Sequence, residues 1–198
     1  MQPLIDHARS YGRRSAGRPG ELARLAEGQT PQVLFITCSD SRVVPALITG
    51  ARPGELFELR SAGNIVPPHG TGRPTGEAAT VEYAVEVLGV ADIVVCGHSH
   101  CGAVGALVRG DDLTAVPAVR DWLAQESAAA LPRGSAEDPA VTSAVQTHVL
   151  TQLLRLRAYP AVAQRLDAGR LRLHGWFYEV HTGRVLAHDV RSDAFLAL

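Results

Sequence analysis

Lysine is missing from this 198-residue chain; all 19 of its basic residues are arginine. That bias follows genome composition more than function and carries little weight. Against 20 acidic residues it leaves a net charge of −1. The isoelectric point is near 6.7. So small a charge excludes the field that nucleic acid or an anionic membrane would need, and neither partner is expected. Long apolar runs are also lacking. No stretch approaches the roughly 18 residues of a membrane span. The N-terminus, "MQPLIDHARSYGRRSAG", has no apolar signal core. Asp6 and the helical spacing of Leu4, Ile5 and Ala8 read as an ordinary helix. Cysteine is scarce: three residues, an odd count too small for a disulfide framework. A reduced, cytoplasmic protein is the expectation.

What is present is a chain 46% hydrophobic, enough for one globular domain over 1–198 with a full core. There is no internal repeat and no linker. The segment 131–140 reads as a loop. Strands are predicted over 33–38, 55–59, 92–96 and 172–180, and a hairpin over 179–186 turning at Thr182–Gly183. Helices are predicted over 3–14, 20–28, 76–89, 117–129, 141–157 and 160–168. In the third, Ala79, Tyr83 and Val87 share one face. Helices alternating with apolar strands predict an α/β fold, with a mainly parallel central sheet flanked by helices. Ligands of such sheets sit beyond the carboxyl ends of the strands, where strand order reverses.

Two unusual clusters fall at those ends. "CSDSR" (38–42) closes the first strand and "GHSHCG" (97–102) the third. If the two strands are neighbours, the clusters meet over one crevice. Cys38, His98 and Cys101 then offer two thiolates and an imidazole, a set suited to zinc. Three protein ligands leave a fourth position open, which is the catalytic pattern; structural zinc sites close all four. Cys96, inside "IVVCG", reads as a small core residue. His100 reads as exposed, and His69, His148, His174, His181 and His188 show no partner spacing. A phosphatase-type thiol loop fits poorly: Arg42 is only four residues beyond Cys38, and Asp40 would repel phosphate.

Asp40 and Arg42 have a role beside such a metal. A carboxylate there can orient a bound water, but it would also compete for the open position. An arginine two residues on can hold it in a bidentate pair and keep it ionised.

With ligands and dyad in this order, the sequence resembles the β-class carbonic anhydrases. "CSDSR" matches that family's C-x-D-x-R motif and "GHSHCG" its H-x-x-C motif. "RSAGNIVPP", "EYAV" and "HGWFY" extend the likeness from about Ile5 to Phe195. The resemblance implies reversible hydration of CO2 to bicarbonate and a proton by zinc-bound hydroxide. One Zn²⁺ per subunit would be held by Cys38, His98 and Cys101, with Asp40 and Arg42 as the catalytic dyad. It implies that Gln29, Phe57 and Tyr83 line the substrate pocket, partly from across a homodimer. The helical arm, residues 1–30, would pack on the partner subunit, and dimers can assemble further. Some β-class enzymes carry a tryptophan three residues before the first zinc cysteine. With an arginine and a tyrosine, matched here by Arg60 and Tyr178, it forms a regulatory bicarbonate site. Phe35 stands there instead and lacks the indole N–H. The expectation is therefore an open metal position, with Asp40 kept on Arg42. Hydrolysis of CS2 or COS on the same scaffold, or a zinc-stabilised non-enzymatic domain, are the alternatives.

Overall fold

The computed structural model describes residues 1–17, 19–70, 72, 74–127, 130–132 and 141–198. Among these, six strands form one sheet. They are β1 (Val33–Cys38), β2 (Leu56–Ser61), β3 (Asp92–His98), β4 (Arg172–Tyr178), β5 (Val185–Asp189) and β6 (Ala194–Ala197), in the order β2-β1-β3-β4-β5-β6. The first four run parallel; β5 and β6 add antiparallel at one edge. The sheet is therefore mixed, its parallel part as expected. The hairpin into β5 turns where predicted, with Gly183 N–H donating to Glu179 O at 2.8 Å. The short β6 was not foreseen.

The helices are α1 (Gln2–Ser15), α2 (Pro19–Ala26), α3 (Pro45–Thr49), α4 (Gly76–Glu82), α5 (Gly102–Arg109), α6 (Pro117–Leu123), α7 (Thr142–Arg157) and α8 (Pro160–Asp167). The short α3 and α5, which follow the two motif clusters, were not anticipated. The helix expected over 117–129 ends at Leu123; residues 128–129 and most of the loop 131–140 lie outside the described residues. No described helix is long and apolar enough to cross a membrane.

β1 and β3 are continuous apolar runs because both their faces are covered. Leu34 and Ile36 enter the main core with Val145 and Val149 of α7. Phe35, Val94 and Cys96 form a smaller cluster on the opposite face. A side chain on Gly97 would meet Val145 Cγ1 at 2.5 Å and Val149 Cγ2 at 2.7 Å. The missing side chain lets α7 lie directly on β3, next to His98.

The third predicted helix forms in two parts, and the face shared by Ala79, Tyr83 and Val87 is its outer one. After α4, whose first turn is capped by Thr75, the chain widens into a π turn over Tyr83–Val87. Leu88 N–H donates five residues back to Tyr83 O. The core receives Val81, Ala84 and Val85, whereas Ala79, Tyr83 and Val87 face outward. Small and branched apolar residues occur on both faces here, so periodicity alone did not select the buried one.

Candidate metal centre

The chain leaves β1 for β2 on one side and later returns to place β3 on the other. The carboxyl ends of β1 and β3 therefore flank a point where strand order reverses. Cys38 is the last residue of β1 and His98 the last of β3. Cys101 follows three residues on, immediately before α5. Their Sγ and ring nitrogen atoms lie within 4.8 Å of one another, and all three residues are buried. Among the described residues this is the one such group of three.

Protonation is largely dictated by neighbours. His98 Nδ1 lies 2.9 Å from Ser99 O, and a carbonyl only accepts, so Nδ1 carries the hydrogen. That leaves a lone pair on Nε2, which is buried and has no hydrogen-bond partner. A buried acceptor without a partner costs free energy unless something binds there. The two thiols are hydrogen-bonded to each other, which moves them in opposite directions. Cys38 is drawn down, first by the hydrogen bond from Cys101 and against the effect of burial. Cys101 is pushed up by the same bond and by burial. Two thiols and an imidazole lone pair converging in a dry site fit a soft divalent cation. Cys96 is different: burial pushes its thiol up to about 12, which suits an inert core residue.

Asp40 borders the cluster, its Oδ2 3.9 Å from His98 Nε2. Arg42 holds it at both oxygens. Oδ1 accepts the Arg42 backbone N–H and Nε–H, each at 2.9 Å, and Oδ2 accepts Nη2–H at 2.7 Å. These bonds, led by those from the guanidinium, keep the carboxyl well below the usual range. Arg42 Nη2 also donates to His100 O at 3.1 Å, tying the loop after β1 to the loop after β3. His100, expected to be exposed, is half-buried, with φ at 58°.

The other singled-out residues have their own surroundings. Phe57 and Tyr83 stack obliquely at 5.9 Å between ring centroids, and Tyr83 stays 45% exposed. Gln29 is exposed between α2 and β1. Phe35 is buried edge-on against Trp176, 5.8 Å between centroids. Arg60 spans the loop after β1, donating to the carbonyls of Cys38, Asp40 and Val43. Tyr178 pairs with His98 across β3 and β4. Sequence reasoning missed two contacts. Gly63 N–H donates to Cys38 Sγ at 3.4 Å, and His148, read as ordinary, is fully buried on Gly63 O. His174 and His188 also have carboxylate partners, Asp92 and Asp193.

At the switch point of this mixed α/β sheet, a Cys2His cluster that could hold a metal ion sits beside an Asp–Arg pair, which places the chain among candidate metalloproteins. The carbonic anhydrase family model matches residues 33–185. The chain is 48% identical over 204 residues to a carbonic anhydrase of Pseudomonas aeruginosa, covering all of this chain and 92% of the relative. Among solved structures, the β-carbonic anhydrase CcaA superposes with a TM-score of 0.93 at 40% identity, over 100% of this chain and 99% of that one. One of two tetrameric β-carbonic anhydrases from Sordaria macrospora matches with a TM-score of 0.80 at 30% identity, over 94% of each chain. This chain belongs to the β-class carbonic anhydrase family.

Proposed function

We propose that the protein is a zinc-dependent carbonic anhydrase, interconverting CO2 and water with bicarbonate and a proton. The observation that carries this reading is the buried lone pair of His98 Nε2, without a hydrogen-bond partner and converging with two thiols. Cys38, His98 and Cys101 would hold one zinc ion per subunit. When bound, the ion acts as a Lewis acid that makes water a nucleophile near neutral pH. Asp40 has one defined task. A carboxylate oxygen has two acceptor sites; Oδ1 uses both on Arg42, while Oδ2 uses one. The remaining site, on the oxygen nearest the cluster, would accept a hydrogen bond from the reacting water and orient it. Arg42 keeps that carboxylate ionised and keeps it from becoming a fourth ligand. A structural zinc site would instead close with such a ligand, so the Asp40–Arg42 pairing favours the enzyme.

We assign the substrate pocket to Gln29, Phe57 and Tyr83, lined partly from across a homodimer. α1 supports the dimer: only Ser15 is buried, while Leu4, Ile5 and Tyr11 remain exposed. We assign the arm to the partner subunit and the enzyme to the cytoplasm, where three free thiols stay reduced. Removal of residues 1–15 should therefore yield a smaller species by sedimentation.

Stopped-flow CO2 hydration with zinc stoichiometry tests the reading. The wild type should carry one zinc per subunit and hydrate CO2, and Cys38→Ala should lose both. Full activity of the metal-free variant would overturn it.

A further inference from the structure

The turn after β2, Ala62–Asn64, is held in an unusual backbone conformation. Gly63 has φ at 72° and Asn64 at 48°, two successive left-handed residues. A side chain at Gly63 would come within 3.0 Å of Ala103 Cβ, on the first turn of α5 beyond Cys101. Such a conformation persists only where surrounding contacts determine it.

Two helices supply those contacts. Trp122, on α6, donates Nε1–H to Ala62 O at 2.8 Å. His148, on α7, lies with Nε2 2.8 Å from Gly63 O. Because a carbonyl only accepts, Nε2 carries the hydrogen. The ring is itself fixed from behind. Nδ1 faces Gln152 Nε2 at 3.3 Å and Glu126 Oε2 at 3.6 Å. Gln152 is oriented by Val66, whose N–H donates to its Oε1 at 2.9 Å. Glu126 is paired with Arg155. Between the two clamps, Gly63 N–H points at Cys38 Sγ. Ala62 O and Gly63 N–H belong to one peptide group. A hydrogen bond at the oxygen therefore polarises the N–H that reaches the sulfur.

We propose that Trp122 and His148 are positioning residues for the metal centre. By clamping the 62–64 turn from two helices, they hold the Gly63 N–H on Cys38 Sγ and set how much charge that thiolate gives the metal. The inference rests on Cys38 being a zinc ligand. Two thiolates formally cancel the charge of a dication, and an N–H···S bond withdraws part of that donation from one of them. Outer partners of metal ligands change affinity or activity by about 10–100-fold.

The test uses the full-length protein with Co²⁺ exchanged for zinc, and the variants Trp122→Phe, His148→Leu and His148→Gln. The wild type should show a thiolate-to-cobalt charge-transfer band; its absence would overturn the ligand reading itself. In Trp122→Phe and His148→Leu that band should move to lower energy. Because the turn that positions Cys38 is loosened as well, zinc loss to a chelator should become about tenfold faster despite the stronger donation. His148→Gln, whose side-chain amide can donate to the same carbonyl, should restore both. If His148→Leu does not fold, Trp122→Phe decides alone. A wild-type band and release rate in that variant, even with a lowered melting temperature, would overturn the proposal.

Discussion

Asp40 Oδ2 lies 3.9 Å from His98 Nε2, at the edge of the Cys38–His98–Cys101 cluster yet bound to Arg42. In the proposed function, the carboxylate is near enough to serve a group on a metal held by that cluster, and Arg42 restrains it from replacing that group. Asp40→Ala should therefore keep its zinc and lose CO2 hydration by about 100-fold or more, the scale of a lost orienting group. Metal analysis beside stopped-flow rates measures both. An unchanged rate would remove Asp40 from the mechanism.

Gly97 lets α7 approach β3 beside His98. A methyl group there meets two valine side chains well inside contact distance, and α7 is anchored along both β3 and β4. Gly97→Ala should cost about 1–3 kcal/mol, as overpacking does. A lower urea midpoint at unchanged slope is the expected result; an unshifted midpoint would show that α7 yields freely.

Acid should act through Asp92. Hydrogen bonds from Arg172 first, and then His174, hold its carboxyl below the ordinary value. A depressed folded value gives stability that is present above the unfolded value, about 3.9. That stability is lost as pH falls through the folded value. Arg172 is 71% exposed, so screening limits the gain to roughly 1 kcal/mol or less. Asp92→Asn should lower the urea midpoint at pH 7, and the gap to wild type should shrink as the pH falls below about 4. A gap that stays constant in acid would assign the loss to something other than charge.

The centre itself was legible in the sequence because its chemistry sits in side chains at fixed spacing. Cys38, Asp40 and Arg42 follow one apolar run; His98 and Cys101 follow another. Parallel pairing of β1 with β3 then brings them together. The support around them was not legible. Gly63 acts through a backbone N–H, which no residue letter announces. His148 finds its partner 85 positions away in sequence. Tyr83 and Val87 were grouped by spacing, but the π turn and apolar residues on both sides of the helix left the buried face undetermined. α5 and β6 are short, and Gly-rich or terminal stretches carry weak periodic signals.

At Arg60 the choice of arginine over lysine has a structural consequence. One planar guanidinium reaches three carbonyls, those of Cys38, Asp40 and Val43, across the loop that carries the first ligand and the dyad. A lysine ammonium, a single mobile point of charge, could not fix three acceptors in one geometry. The loop's conformational freedom is thus surrendered when the chain folds, and little remains to be lost when a metal arrives. The same commitment turns the Arg60 fork toward the backbone carbonyls of its own loop and fixes the direction in which Cys38 and Asp40 leave the strand.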